Sequence, residues 1–118
     1  MFSDVYIERF LKEQRGTSLV SLWLWSKTYP PFFGDLEKAK QGFFFLAQKL
    51  MSQGQLKLAR DGVFMEGSIE AQLQLFKDAW PCQYDENVDK LDIDNLWWLL
   101  YAPAGAVWIY PDGYQQWT

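Results

Sequence analysis

The sequence predicts an α+β fold, with four or five helices and two β-hairpins that form a small antiparallel sheet, in a single domain over residues 1–118. Several segments repeat apolar side chains at the three- and four-residue spacing of one helical face, and residues that start or end helices bound them. Two Asp-Gly pairs, Asp61-Gly62 and Asp112-Gly113, separate short alternating segments, which is typical of tight hairpins.

The first two predicted helices lie in the N-terminal third. Ser3 or Asp4 can cap the first helix, and Gly16 ends it. The second helix, SLVSLWLWSK, is expected to start at Thr17 or Ser18 and to end at a Tyr-Pro-Pro sequence. Because this helix is apolar nearly all round, it is either deeply buried or has one face against a partner, and burial is the more common case.

The central third is predicted to form a long helix, the first hairpin and a further helix. Asp35 caps the long helix, and Gly54 ends it. Ser68 caps the next helix, and Pro81 ends it. Most of these residues are expected to serve only as a scaffold.

A helix followed by a hairpin is also typical of winged-helix DNA-binding modules. The predicted second helix of this unit, however, offers only Lys77 as a base, against Glu70 and Asp78. DNA binding depends mainly on neutralising phosphates with a basic face. We therefore do not expect this chain to bind nucleic acid.

The C-terminal third contains the second hairpin. Its strands are predicted at 106–110 and 114–117, on either side of a Pro-Asp-Gly turn. The apolar run Leu96–Tyr101 is compatible with a helix or with a buried strand, because periodicity does not separate the two in so short a segment.

The negative charge of the chain is concentrated in this third. The net charge is −4, but residues 1–81 carry a net +1 and residues 82–118 a net −5. The polar connection between Cys82 and Asn95 holds most of the acids: Asp85, Glu86, Asp89, Asp92 and Asp94. Asp92 or Asp94 could also cap a helix that follows. Such an asymmetry repels nucleic acid and attracts basic partners, although a solvated loop without a partner explains the charge equally well.

Catalytic chemistry has little support in the sequence. The chain has no histidine, so the commonest general base is absent and Cys82, the only cysteine, has no imidazole to activate it. The glycines are spread singly and form no phosphate-binding loop. The acidic connection lacks the alternation and the glycine of a calcium loop. We therefore expect no enzymatic activity, no cofactor and no metal site.

The sequence also bears on location and assembly. The N-terminal segment has charges throughout and no apolar signal core, and the longest uncharged run, Asn95–Pro111, is too short to span a bilayer well. A lone cysteine fits a reducing compartment. We expect a cytoplasmic protein that does not bind membranes. Its oligomeric state stays open, since Trp23, Trp25 or the Trp97-Trp98 pair could hold copies together.

The segment LKLARDGVFMEGSIEAQLQLFKDAWP and the later PAGAVWIYPDGYQQWT carry a resemblance to known proteins. The matching features are the Asp61-Gly62 turn, the junction at 66–70, the helix end at Trp80-Pro81, and the final segment from Gly105 to Thr118. Together they resemble a family of small bacterial proteins of unknown function, over roughly the C-terminal two-thirds of the chain.

Members of that family are similar to proteins found beside toxin genes of contact-dependent growth inhibition systems. The resemblance implies an immunity protein, which binds and neutralises the toxic C-terminal domain of its cognate effector. Many such toxins are nucleases with basic clefts, so an acidic inhibitor can mimic the charge of the substrate. The resemblance supplies no functional residues.

From the residues themselves we predict a partner-binding site with two parts. The acids Asp85, Glu86, Asp89, Asp92 and Asp94 would steer the partner, and Tyr84, Tyr110 and Tyr114 would anchor it. The alternative is a small regulatory or ligand-binding module, with an aromatic pocket between the helices and the C-terminal sheet. A deep, closed apolar pocket would favour that alternative, whereas an exposed, fairly flat acidic and aromatic face would favour the immunity protein.

Overall fold

The computed structural model describes residues 2–118 and has the predicted α+β architecture. Five α-helices and four strands follow one another along the described chain. The helices are α1 (Asp4–Gln14), α2 (Val20–Thr28), α3 (Leu36–Ser52), α4 (Ile69–Ala79) and α5 (Leu96–Leu100), and the strands are β1 (Leu56–Arg60), β2 (Val63–Phe64), β3 (Gly105–Ile109) and β4 (Gln115–Trp117). Short 3-10 helices occupy Pro30–Phe32 and Asp89–Leu91.

The four strands form one antiparallel sheet in the order β2-β1-β3-β4. Two hairpins build it, as predicted, and they meet where β1 pairs with β3. The first turn places Asp61 at φ +53° and Gly62 at φ +79°, the left-handed pair that a tight hairpin requires. The second strand of that hairpin is short: regular pairing ends at Phe64, although Met65 N–H still bonds to Leu58 O at 2.9 Å.

Three of the predicted helix caps are confirmed. The hydroxyl of Ser3, and not the carboxylate of Asp4, accepts a hydrogen bond from Tyr6 N–H. Asp35 accepts from Lys38 N–H, and Ser68 accepts from Ala71 N–H. In each case the side chain satisfies an amide that has no partner inside the helix.

The predicted start of the second helix was wrong. Helix α2 begins at Val20, with Leu19 already in helical conformation and no side-chain cap. Thr17 instead donates its hydroxyl proton back to Gln14 O at 2.6 Å and so helps to end α1. Leu96–Tyr101, which the sequence left open, forms the helix α5 and its terminal residue.

The core lies between the helices and one face of the sheet. Helix α3 packs against α2, α4 and β1. Three tryptophans, Trp23, Trp97 and Trp108, are fully buried, and they come from α2, α5 and β3. The strands contribute Leu56, Leu58, Ala106 and Trp108, which share one face by register.

Gly42 shows how tightly α3 is packed. A Cβ at this position would lie 2.7 Å from Cε2 of Phe32 and 3.1 Å from Cζ of Phe2. Real Cβ atoms essentially never show the first of these distances, and the second is tighter than most real contacts. The glycine in the middle of this helix therefore allows two aromatic rings to pack directly on its backbone.

The opposite face of the sheet has a small apolar cluster of its own. Val107 is fully buried although it points away from the main core, because it pairs with Lys57 and Trp117 on that face. The rings of Phe64 and Trp117 lie 5.0 Å apart across it. The Lys57 ammonium lies 5.0 Å from the centre of the Phe64 ring.

Candidate protein-interaction surface

The connection between α4 and α5 contains the predicted acids. One of them, Asp94, is hydrogen-bonded to side chains of α2. The Asp94 carboxylate accepts hydrogen bonds from the Lys27 ammonium through both of its oxygens, each at 2.8 Å. One of those oxygens also accepts from the indole Nε1 of the buried Trp23, at 2.8 Å. The carboxylate therefore has a structural role, and Lys27 compensates its charge.

Asp92 also faces inward. Its side chain is buried, and its Oδ2 lies 3.4 Å from the amide nitrogen of Leu96 in the first turn of α5. Its backbone carbonyl accepts hydrogen bonds from the amides of Asn95 and Trp97. Of the two candidate caps in the sequence, Asp92 is thus the residue that supports α5, and it offers little charge to solvent.

Tyr84 fixes the start of the connection. Its hydroxyl accepts a hydrogen bond from the indole Nε1 of Trp80 at 2.8 Å, and its ring lies 6.1 Å from that of Trp23. Burial raises the pKa of Tyr84 above its ordinary value, although the hydrogen bond from Trp80 opposes this effect. The residue is half-buried.

The remaining acids, Asp85, Glu86 and Asp89, are exposed, and we call these three residues the acidic face. Backbone hydrogen bonds close the loop beneath them, from Asp85 N–H to Leu91 O at 3.0 Å and from Val88 N–H to Asp85 O at 3.1 Å. Within residues 2–118 none of the three forms an ion pair. The acidic face therefore presents three carboxylates outside any ion pair, with one exposed base, Lys90, next to Asp89.

The acidic face borders a shallow depression of about 410 Å³, lined by residues 84–87 and 91–94. Over residues 2–118 no group of three or more His, Cys, Asp or Glu residues is arranged to hold a metal ion.

The other two predicted anchors lie on the β3–β4 hairpin. The Tyr110 ring is half-buried, with its hydroxyl donating to Oε1 of Gln116 and the Arg15 guanidinium 5.3 Å from the ring centre. Tyr114 is exposed, and its ring lies 5.5 Å from that of Tyr110. The predicted site thus comprises two groups on different elements, Tyr84 with the acids and Tyr110 with Tyr114.

The structure also has an apolar surface that the sequence analysis did not single out. Leu99, Leu100 and Tyr101, at the end of α5, are all exposed. Beside them, between α2, α5 and the C-terminal strands, lies a depression of about 250 Å³. The run LWWLLY was the available signal, but the side chains that would face solvent could not be assigned while helix and strand remained open.

Comparisons with known proteins place the chain in a family. The model of a family described as "Protein of unknown function, DUF596" matches residues 51–118, which is more than half of the chain. The chain belongs to this DUF596 family. The predicted resemblance to a family of unknown function, carried by the C-terminal part, is therefore confirmed. No protein among those with curated descriptions matches.

A solved structure extends the likeness beyond the DUF596 segment. An uncharacterized protein conserved in bacteria, from Neisseria meningitidis, is 33% identical, with a TM-score of 0.79 over 97% of this chain and 84% of that chain. The fold of the N-terminal third is thus shared as well. Neither comparison names a partner or an activity. Within residues 2–118 no helix is both long enough and apolar enough to cross a membrane.

Proposed function

We propose that this protein is an immunity protein, which binds and neutralises the toxic C-terminal domain of a cognate contact-dependent growth inhibition effector in the cytoplasm. The observation that carries the proposal is the acidic face. Asp85, Glu86 and Asp89 present three carboxylates to solvent on one loop, and none of them forms an ion pair within residues 2–118.

The way the loop is held supports a binding role. Asp94 ties it to α2, Asp92 ties it to α5, and Tyr84 ties it to the end of α4. A mobile loop would lose conformational entropy when it bound a partner. A loop held at both ends is already ordered in the free protein, so it loses less conformational entropy on binding. The carboxylates are thus ordered before a partner arrives.

The chemistry of this surface fits a basic protein, such as the substrate cleft of a nuclease toxin. A cleft that binds phosphates has a positive potential, and carboxylates at fixed positions can occupy it in their place. Opposite potentials accelerate encounter, while the half-buried ring of Tyr84 beside the carboxylates would slow dissociation. Tyr110 and Tyr114 remain a second candidate anchor on the neighbouring hairpin.

The alternative function, a ligand-binding module, finds less support. It calls for a closed aromatic pocket between the helices and the C-terminal sheet. The depression at that place has Trp98 as its one aromatic lining residue and the exposed Leu99 at its rim. Small-molecule sites usually enclose most of their ligand.

The experiment is a binding and rescue assay against the C-terminal domain of a large exported protein encoded next to this chain. We expect tight binding of the purified domains and restored growth when both are co-expressed. A neighbouring toxin domain that is neither bound nor neutralised would contradict the proposal.

A charge-matched pair of variants links that result to the acidic face. The test variant reverses Asp85, Glu86 and Asp89 to lysine. The control reverses Glu8, Glu66 and Asp78, which are also exposed and form no ion pair within residues 2–118, so that both variants have the same net charge. Rescue should fail with the first and persist with the second.

A further inference from the structure

We infer that the depression beside the acidic face receives one arginine side chain of a partner protein, with the carboxylate of Asp92 as its acceptor. We call this depression, lined by residues 84–87 and 91–94, the Asp92 depression. The inference names the chemical group that the proposed function requires on its partner, and it rests on that function only for the identity of the partner. The site itself can be tested without a toxin.

Asp92 is a buried acid with one acceptor oxygen to spare. The residue is only 7% exposed. Its Oδ2 lies 3.4 Å from the amide nitrogen of Leu96, which is long for a hydrogen bond, and its Oδ1 has no hydrogen-bond donor within residues 2–118. Asp92 forms no ion pair there either. A buried carboxylate is costly unless a donor or a cation compensates it, so this oxygen points to a cationic donor from outside the chain.

The spare oxygen of Asp92 can be reached from outside. Asp92 lines the depression, and its Oδ1 is not sealed from solvent. Asp94 lines the same depression, but Lys27 donates to both of its carboxylate oxygens. Lys90, the one base of this connection, is exposed and does not line the depression. An incoming cation therefore meets an acceptor that no side chain among residues 2–118 occupies.

The other lining residues favour a guanidinium over an ammonium group. Tyr84 contributes an aromatic ring, and Leu91 and Ile93 contribute apolar side chains. A guanidinium is planar and weakly hydrated, so its face packs on rings and aliphatic groups while its edge donates to carboxylates. An ammonium is compact and strongly hydrated, and it would lose more hydration against the same residues. The exposed Asp85 and Glu86 supply further acceptors beside Asp92.

The shape of the Asp92 depression favours a side chain that a protein presents over a free small molecule. Its volume is about 410 Å³, but it is shallow. Small-molecule sites usually enclose most of their ligand, whereas a side chain that projects from a partner is covered by the surface of that partner. The acidic face lies beside the depression, so it would meet the basic surface around the arginine.

The test is a titration of the isotope-labelled chain with acetyl-Gly-Arg-Gly-amide at constant ionic strength, followed by the chemical shifts of the backbone amides. We expect saturable shifts at residues 84–87 and 91–94, with a dissociation constant of about 1–10 mM for this single side chain. Acetyl-Gly-Lys-Gly-amide, which has the same charge, should bind about threefold more weakly or worse. No saturation below about 50 mM, or equal binding of the two peptides, would overturn the inference.

A matched pair of variants assigns the binding to Asp92. Asp92→Asn removes the charge and keeps an oxygen for the amide of Leu96, and it should raise the dissociation constant for the arginine peptide about fivefold or more. Asp89→Asn makes the same change of charge at an exposed acid of the same loop that does not line the depression, and it should change that constant less than about twofold. Equal effects of the two variants would overturn the role of Asp92.

The comparison of the two peptides on the unaltered chain needs no variant, so the inference stays testable even if Asp92→Asn does not fold. A failed titration together with successful growth rescue by the toxin partner would overturn the arginine site and leave the immunity proposal intact. Specific binding of the arginine peptide without rescue would support the site and contradict the immunity function alone.

Discussion

Lys27 donates hydrogen bonds to both carboxylate oxygens of Asp94. The two residues are 67 positions apart in sequence, and the pair joins α2 to the connection between α4 and α5. Replacing Asp94 with alanine removes this pair and leaves the indole N–H of the buried Trp23 without its acceptor. Since the ion pair is partly exposed, most of the cost should come from that donor, and we expect a loss of about 1–2 kcal/mol in the free energy of unfolding. Urea denaturation measures it. Glu13→Ala, which removes the exposed Arg9–Glu13 pair, should cost less than about 0.5 kcal/mol, and equal costs would contradict the structural role of Asp94.

Gly42→Ala should destabilise the protein, although alanine is the better helix former. Propensity alone predicts a gain of about 1 kcal/mol. The added methyl group would instead collide with the rings of Phe32 and Phe2, and we expect a net loss of about 1–3 kcal/mol. For a chain of this size each kcal/mol lowers Tm by roughly 4–5 °C, so thermal unfolding followed by circular dichroism decides the sign. Gln41→Ala, at the exposed preceding position, should change Tm little, and a rise in Tm with Gly42→Ala would mean that the rings move aside.

Trp117→Ala should destabilise the sheet because it uncovers Val107 and removes the ring contact with Phe64. The side chain is about half-exposed, so the expected cost, about 1–2 kcal/mol, lies below that of a buried tryptophan. Equilibrium unfolding in urea is the measurement. Gln115→Ala, on the same face of the same strand, is the control and should cost only a few tenths of a kcal/mol. If both variants unfolded at the same urea concentration, the cluster behind the sheet would contribute nothing.

Charge reversal on the acidic face should slow the binding of a basic partner. With Asp85, Glu86 and Asp89 changed to lysine, we expect the association rate constant to fall about tenfold or more at low salt, and its salt dependence to flatten. Stopped-flow binding at several ionic strengths measures both. Asp92 and Asp94 are unsuitable for this test, since they hold the loop in place. An unchanged rate and salt slope would show that the acidic face does not steer the partner.

Stability should fall at high pH in part because of Tyr84. Burial raises the pKa of Tyr84 in the folded chain above its unfolded value of about 10, so the unfolded state loses this proton first as pH increases. The stabilisation is complete below pH 10 and is lost as pH rises from there through the folded pKa. In Tyr84→Phe the free energy of unfolding should therefore decrease less steeply above pH 10. Tyr6→Phe should behave alike, because burial raises the pKa of Tyr6 too. If neither substitution altered the slope of the free energy of unfolding against pH above pH 10, the contribution of these tyrosines would be contradicted.

The parts of the fold that local chemistry specifies were predictable from the sequence. The caps Ser3, Asp35 and Ser68 and the turn at Asp61-Gly62 need only neighbouring residues, and they were predicted correctly. The start of α2 was not, because the hydroxyl of Thr17 bonds back to Gln14 O and helps to end the preceding helix instead of capping the next one. The division of the acids between structure and solvent depends on contacts with α2 and α5, which lie outside the acidic segment itself.

The DUF596 match begins at residue 51. The side chains that donate hydrogen bonds to the Asp94 carboxylate, Trp23 and Lys27, precede that residue. The orientation of the connection between α4 and α5 therefore depends in part on a segment that the family model does not include. A substitution in α2 could turn the carboxylates toward a different partner while every residue of the loop stayed the same. Comparing relatives by their loop sequences alone would then miss a change of specificity that originates in another helix.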